Sequence, residues 1–222
     1  MSLIQYVYFI LLSAAIFFSL MKFSQAPKHV KPLACFLIIF FVVNIGGLIL
    51  MKRHINNLFI YHFFTPVEYC FYSIIFYRYF GDKKIKSAIL FSIIIFTVFC
   101  FLNTFFLQSL DINNSNAIIG ESILIITWCL FFFREKISEP DNIDPKNEPL
   151  FWIATGVLFY FLGNVFIEGL LNYLIKKEIA IARTLYKISY IFSYILFCFI
   201  GIGFYIVGNK KSNNLKSNGS NF

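Results

Sequence analysis

The chain has 222 residues, of which 59% are hydrophobic types and only 14% are charged, and its mean hydropathy is +0.75. A soluble domain carries about 45–50% apolar and about 25% charged residues, so this composition excludes a water-soluble globule, a disordered chain and a disulfide-stapled secreted module. The net charge of +8 is scattered through short segments between apolar runs, which records orientation in a membrane and makes no case for nucleic-acid binding.

Seven apolar runs follow one another between clusters of charge, Pro and Asn, at residues 3–21, 32–51, 58–80, 87–107, 115–133, 150–175 and 182–207. Each exceeds the ~18 residues that cross a hydrocarbon core of about 30 Å at 1.5 Å per residue. Backbone groups in lipid must be paired within their own segment, and the ~10-residue alternating strands of a barrel are missing, so the runs predict helices. The expected fold is therefore all-α, a polytopic bundle of seven transmembrane helices over residues 1–207. The first run has no basic residue before Lys22 and reads as a retained helix, since a cleaved signal needs a basic start and a shorter apolar core.

The connections set the expected orientation. Lys22, Lys28 and Lys31, then Arg78, Lys83, Lys84 and Lys86, then Arg134, Lys136 and Lys146, and finally Lys210, Lys211 and Lys216 place 13 basic residues on one side, against 5 on the other (Lys52, Arg53, Lys176, Lys177 and Arg183). The positive-inside bias predicts the amino terminus outside and the carboxyl terminus in the cytoplasm. The connection 135–149 mixes acids with prolines without the spacing of a calcium-binding loop and reads as solvated, with Pro149 opening the next helix. Residues 208–222, rich in Lys, Asn and Ser, are expected to form a disordered cytoplasmic tail. No internal repeat divides the chain into two halves.

Ionisable residues inside spanning segments mark function by default, because each costs about 2.5–3.5 kcal/mol at the helix centre on insertion scales. The candidates are His62 and Glu68 on the third helix, Glu121 on the fifth, Glu168 on the sixth and Lys187 on the seventh. Counted from the outer helix ends, Glu68 lies roughly 15 Å deep, Glu121, Glu168 and Lys187 roughly 8–9 Å, and His62 roughly 6 Å. Asn44, Asn103, Thr104, Ser122 and Asn164 share that outer half, so a half-deep polar cavity open to the outside is expected, lined by His62, Glu68, Asn103, Glu121, Asn164, Glu168 and Lys187.

Helical periodicity points the stripes Tyr61, Thr65, Glu68 and Tyr72, then Tyr160, Asn164, Glu168 and Asn172, then Lys187, Tyr190, Tyr194, Cys198 and Gly201, into the bundle. Polar packing between helices is the competing account of the same stripes. Glu168 and Lys187 sit at similar depth on adjacent helices and are expected to pair. Pro66 leaves the carbonyl of His62 without its helical donor, which suggests a hinge or an exposed carbonyl beside Glu68.

Glu68, the deepest acid, is expected to be the functional centre. No metalloprotease, nucleophile-elbow or phosphate-loop motif is present, and His29, His54 and His62 do not share a metal-ligand spacing. No catalytic residue is assigned, and no metal or cofactor is expected. The five cysteines all lie within apolar runs without a C-x-x-C pair and read as packing residues.

The helix count, the outward amino terminus and the gathering of polar residues toward the outer side over residues 3–207 resemble the seven-transmembrane sensory input modules of bacterial histidine kinases. The chain is equally similar to bacterial seven-helix membrane proteins of this size with no assigned activity. The resemblance implies the bacterial cytoplasmic (inner) membrane and a sensor-like role. No output domain follows Val207, so it also implies a separate cytoplasmic or membrane signalling partner. The expected function is a receptor or accessory protein binding a small polar ligand or lipid head group in the outer cavity. The alternative is a membrane-embedded enzyme using Glu and His as acid and base on a lipid or exported substrate.

Overall fold

In the computed structural model, residues 2–138 and 145–218 are described, apart from the side chains at 172, 173, 175, 176, 179, 180, 183 and 208–218. They form an all-helical bundle: α1 Leu3–Met21, α2 Lys31–Lys52, α3 Leu58–Tyr79, α4 Lys83–Leu102, α5 Ser115–Ser138, α6 Pro149–Lys177 and α7 Ile179–Asn218. Six of them, all but α3, are long and apolar enough to cross a membrane.

Local chemistry sets the helix starts. Ser2 and Gln5 cap α1 reciprocally, the Gln5 amide donating to Ser2 Oγ and the Ser2 amide to Gln5 Oε1. Asp82 caps α4 by accepting from the Lys84 amide at 2.7 Å. Prolines occupy the first turns of α2 and α6, where their missing N–H costs nothing, and Pro149 begins α6 as the sequence predicts. At the end of α2, His54 turns the chain with a positive φ of 58°. The solvated connection expected at 135–149 is replaced at its edges by the last turn of α5 and a short 3₁₀ turn, Pro145–Asn147; its centre, 139–144, lies outside the described residues. The backbone of α7 is helical to Asn218, into the expected tail, while the side chains from 208 and everything from 219 lie outside the described residues.

Helix contacts join α1 to α2, α2 to α3, α3 to α5, α5 to α6, α6 to α7 and α7 back to α1, closing a ring of six, with α4 packed outside against α3 and α5. Glycines let α6 and α7 approach closely. A Cβ on Gly163 would stand 2.4 Å from Phe192 Cγ, one on Gly156 2.6 Å from Phe199 Cβ, and one on Gly203 2.9 Å from the Pro149 carbonyl oxygen. At the end of the ring away from the N-terminus, the interior is filled by buried aromatics, among them Phe36, Tyr72, Phe76, Phe132 and Phe204. The outside is apolar as well: Phe91, Ile94, Val98, Phe105 and Phe106 stand exposed along α4 and the turn that follows it. A surface of that kind suits lipid rather than water.

α3 is the least suited of the seven to face lipid and is the most enclosed by its neighbours. Its polar side chains His62, Thr65, Glu68 and Ser73 are buried among α2, α4 and α5. Near the opposite end of the bundle from the N-terminus, Lys28, Lys31, Arg78 and Lys86 gather around Tyr77 at an open depression, and Arg78 Nη1 donates to the Lys28 carbonyl at 3.4 Å.

Candidate functional site

A cavity of about 250 Å³ occupies the N-terminal end of the ring, and every ring helix contributes to its wall, whereas α4 contributes nothing. From α3 come Tyr61, Thr65 and Glu68, one turn apart on one face; from α6 come Tyr160, Asn164 and Glu168 at i+4 spacing. α1 adds Gln5 and Tyr8, α2 adds Asn44, and α5 adds Glu121. The expected stripes on α3 and α6 are thus the ones that face inward, save that Tyr72 lies below the wall against Phe36 and Phe161, and the side chain of Asn172 lies outside the described residues.

Glu121 is 2% exposed and Glu68 9%. Oε1 of Glu121 has no hydrogen-bond partner. Among the described residues, no cation lies within 4.0 Å of Glu68, Glu121 or Glu168. A buried carboxyl group without a donor costs free energy unless it is protonated or meets a partner. Glu168 is better provided for, since Asn113 Nδ2 donates to its Oε2 at 2.6 Å. Tyr8 Oη donates to Asn44 Oδ1 at 3.2 Å, and Asn44 Nδ2 donates to the Phe40 carbonyl at 2.8 Å. Asn57, just before α3, donates to the carbonyl of Gly47, and a Cβ on Gly47 would meet Tyr61 Oη at 3.0 Å. That glycine therefore makes room for the tyrosine on the wall.

Four expectations are corrected. Lys187 is exposed, is absent from the cavity wall and forms no ion pair with Glu168. The inward face of α7 is instead Tyr186, Ser189, Tyr190 and Ser193, an i, i+3, i+4, i+7 stripe from which Lys187 is turned by about 100°. Tyr194 and Cys198 also leave that face: Tyr194 Oη donates to the Ile4 carbonyl at 2.6 Å, and Cys198 is exposed. His62 is buried but points away from the cavity, with Nε2 donating to the Ile112 carbonyl and Nδ1 paired with Thr104 Oγ1, both at 3.0 Å. Pro66 faces outward with Phe63 and Val67, over the groove between α3 and α4, so the expected hinge does not line the site.

Asn103, the fourth, belongs to a buried amide knot. After α4 the chain makes a π-turn, Asn103–Leu107, closed by the Gln108 amide on the Asn103 carbonyl at 2.7 Å. Asn103 Nδ2 donates to Gln108 Oε1 and Asn114 Oδ1, while its Oδ1 accepts from Asn116. Gln108 Nε2 donates to Ser115 Oγ, and Asn114 Nδ2 reaches Thr65 on the cavity wall at 3.4 Å. The knot thus anchors the connection that carries Asn113 to Glu168. Sequence reasoning missed Asn113, Asn114 and Gln108 because they lie outside the apolar runs, and missed Tyr186, Ser189 and Ser193 although their spacing was readable.

All five cysteines are free thiols. Among the described residues, no group of three His, Cys, Asp or Glu side chains is placed to hold a metal. No known family, curated protein or solved structure matches this chain.

Proposed function

We propose that this protein is a non-enzymatic membrane receptor or accessory protein whose cavity binds a small polar ligand or lipid head group. One observation carries the reading: the Glu121 carboxylate is 2% exposed, has an unpartnered oxygen and borders a cavity built by six helices. Side chains that only hold helices together satisfy each other, as the Asn103 knot does. A volume of about 250 Å³ falls below the 300–1,000 Å³ of drug-sized sites, which favours a small ligand. The acid–base alternative loses its histidine, since both ring nitrogens of His62 are engaged away from the cavity.

In this reading all seven helices cross a bacterial inner membrane, α3 being shielded from lipid by its neighbours. The amino terminus and the cavity face outward, and the Lys28, Lys31, Arg78 and Lys86 cluster faces the cytoplasm, where a separate signalling partner takes the output. The positive-inside bias, with the Lys28, Lys31, Arg78 and Lys86 cluster at the end opposite the cavity, supports that orientation. Reporter fusions after Lys31, Lys86 and Lys146 test it: activity of a periplasmic reporter at two of them would invert the protein. The binding reading is tested by native mass spectrometry of gently purified protein. A co-purifying small molecule retained by the wild type and lost in Glu68→Gln, with melting unchanged, is expected. Retention by both proteins, or by neither, would return Glu68 to a packing role.

A further inference from the structure

The wall chemistry narrows the ligand, on the premise that the cavity is a binding site. Three carboxylates, Glu68, Glu121 and Glu168, face the space, and no Lys, Arg or His joins them among the described residues of the wall. An anion would find no cationic side chain there. A zwitterion would find no cationic side chain there for its negative end, so only one whose negative group stays outside the wall, as a head-group phosphate can, would seat its ammonium in the cavity. A bare metal ion finds no set of three ligating His, Cys, Asp or Glu side chains among the described residues and would leave most of about 250 Å³ unfilled.

Five tyrosines stand among the rest of the wall. Tyr8, Tyr61, Tyr160, Tyr186 and Tyr190 all line it. Tyr190 is set edge-on to Tyr8 at 5.5 Å and 87° and to Tyr186 at 5.9 Å and 90°. Rings held at right angles around an acidic pocket present π faces from more than one direction, the arrangement that attracts ammonium groups.

We infer that the occupant is a small organic ammonium cation, held between the Glu68 and Glu121 carboxylates and the rings of Tyr8, Tyr186 and Tyr190. Its charge lies against the Glu68 and Glu121 carboxyl groups, and its alkyl groups take up the volume that an inorganic ion would leave empty. The same ammonium chemistry comes from two sources, a free amine or the head group of an aminophospholipid, and the test separates them.

Full-length protein is placed in phosphatidylglycerol nanodiscs and melted with ethylammonium, tetramethylammonium, acetate or glutamate, and separately in nanodiscs containing phosphatidylethanolamine. Stabilisation by a free ammonium salt, or by the phosphatidylethanolamine discs alone, identifies the source, and acetate and glutamate should do nothing. Glu121→Gln, which keeps shape and hydrogen bonding, should weaken the effective probe at least tenfold. Tyr190→Leu should weaken tetramethylammonium by about threefold to tenfold where Tyr190→Phe does not, which separates a ring-face role from a hydroxyl role and does not depend on Glu121→Gln folding. Equal stabilisation of wild type and Glu121→Gln, or stabilisation by acetate or glutamate, would overturn the cation assignment. If native mass spectrometry then shows a non-cationic ligand lost in Glu68→Gln, the binding site stands and the ammonium does not. If no probe and no co-purifying molecule distinguishes wild type from Glu68→Gln, both fall.

Discussion

The amide knot gives the sharpest energetic test of how the cavity is held. Asn103 is wholly buried, and Asn103→Ala removes three side-chain hydrogen bonds, to Gln108, Asn114 and Asn116 at 3.0, 2.9 and 3.1 Å. The damage is unequal among the partners. Gln108 Oε1 keeps the Asn116 amide at 3.0 Å, while Asn114 Oδ1 and Asn116 Nδ2 lose the bonds just described. At about 1 kcal/mol per bond in soluble proteins, and about 0.6 kcal/mol on average between membrane helices, the loss comes to about 2–3 kcal/mol. The backbone bond that closes the π-turn survives, so the helix should not unravel. Reversible unfolding in mixed detergent micelles, followed through Trp128 fluorescence, reads the difference at equal transition slope. The substitution should also loosen Asn113 and with it Glu168, so ligand retention should fall alongside stability. A loss below about 0.5 kcal/mol would mean that water replaces the amides freely, and the knot would no longer explain how the connection is fixed.

Two further outcomes follow from the packing and from the loop before α2. Gly163→Ala forces a Cβ to within 2.4 Å of the Phe192 ring and should cost about 1–3 kcal/mol, whereas Gly46→Ala, with nothing within 4 Å, should be neutral or mildly stabilising; equal effects in the same unfolding assay would refute the close α6–α7 approach. Burial, reinforced by the positive charge of Lys136, lowers the pKa of His29 from 6.5 to about 4, and its Nε2 has no partner. Between those values the unfolded chain takes up a proton that the folded one refuses, so this contribution to stability is complete above pH 6.5 and declines as the pH falls toward 4. His29→Phe, which keeps an aromatic ring against Tyr79, should flatten that part of the stability–pH curve; parallel curves for the two proteins would exclude His29 as the cause.

The helices were legible because an apolar run bounded by charge has one solution in lipid. Leu3–Met21 is helical over the run the sequence marks, and Ser115 and Leu58 begin helices where their runs begin. Rotation about each helix axis was legible only where several polar residues repeat, as at Tyr160, Asn164 and Glu168. On α7 the eye follows the charge of Lys187, yet that side chain stands exposed, and the cavity is lined by the Tyr and Ser stripe beside it. His62 and Glu68 were grouped because they share a helix, but six residues at about 100° each place them about 120° apart, on different faces. The amide knot was not legible at all: its partners are Asn and Gln side chains of a connection, and which amide meets which is decided by tertiary structure.

α3 draws these points together. Composition alone makes it the weakest of the seven as a lipid-facing helix, and the bundle answers by placing it between α2, α4 and α5. Its two polar faces then serve different ends. One carries His62 to Thr104 and the Ile112 carbonyl, tying α3 to the α4–α5 connection; the other carries Tyr61, Thr65 and Glu68 to the cavity. Asn114 links the two, donating to Thr65 Oγ1 while held by Asn103. α4 lies outside the ring and contributes no wall residue, yet the turn at its end supports the wall from behind through this chain of contacts. Polar residues in this bundle therefore divide into those that satisfy one another and those that do not, and of the second group among the described residues, His29 Nε2, Ser73 Oγ and Glu121 Oε1, it is Glu121 that borders the cavity.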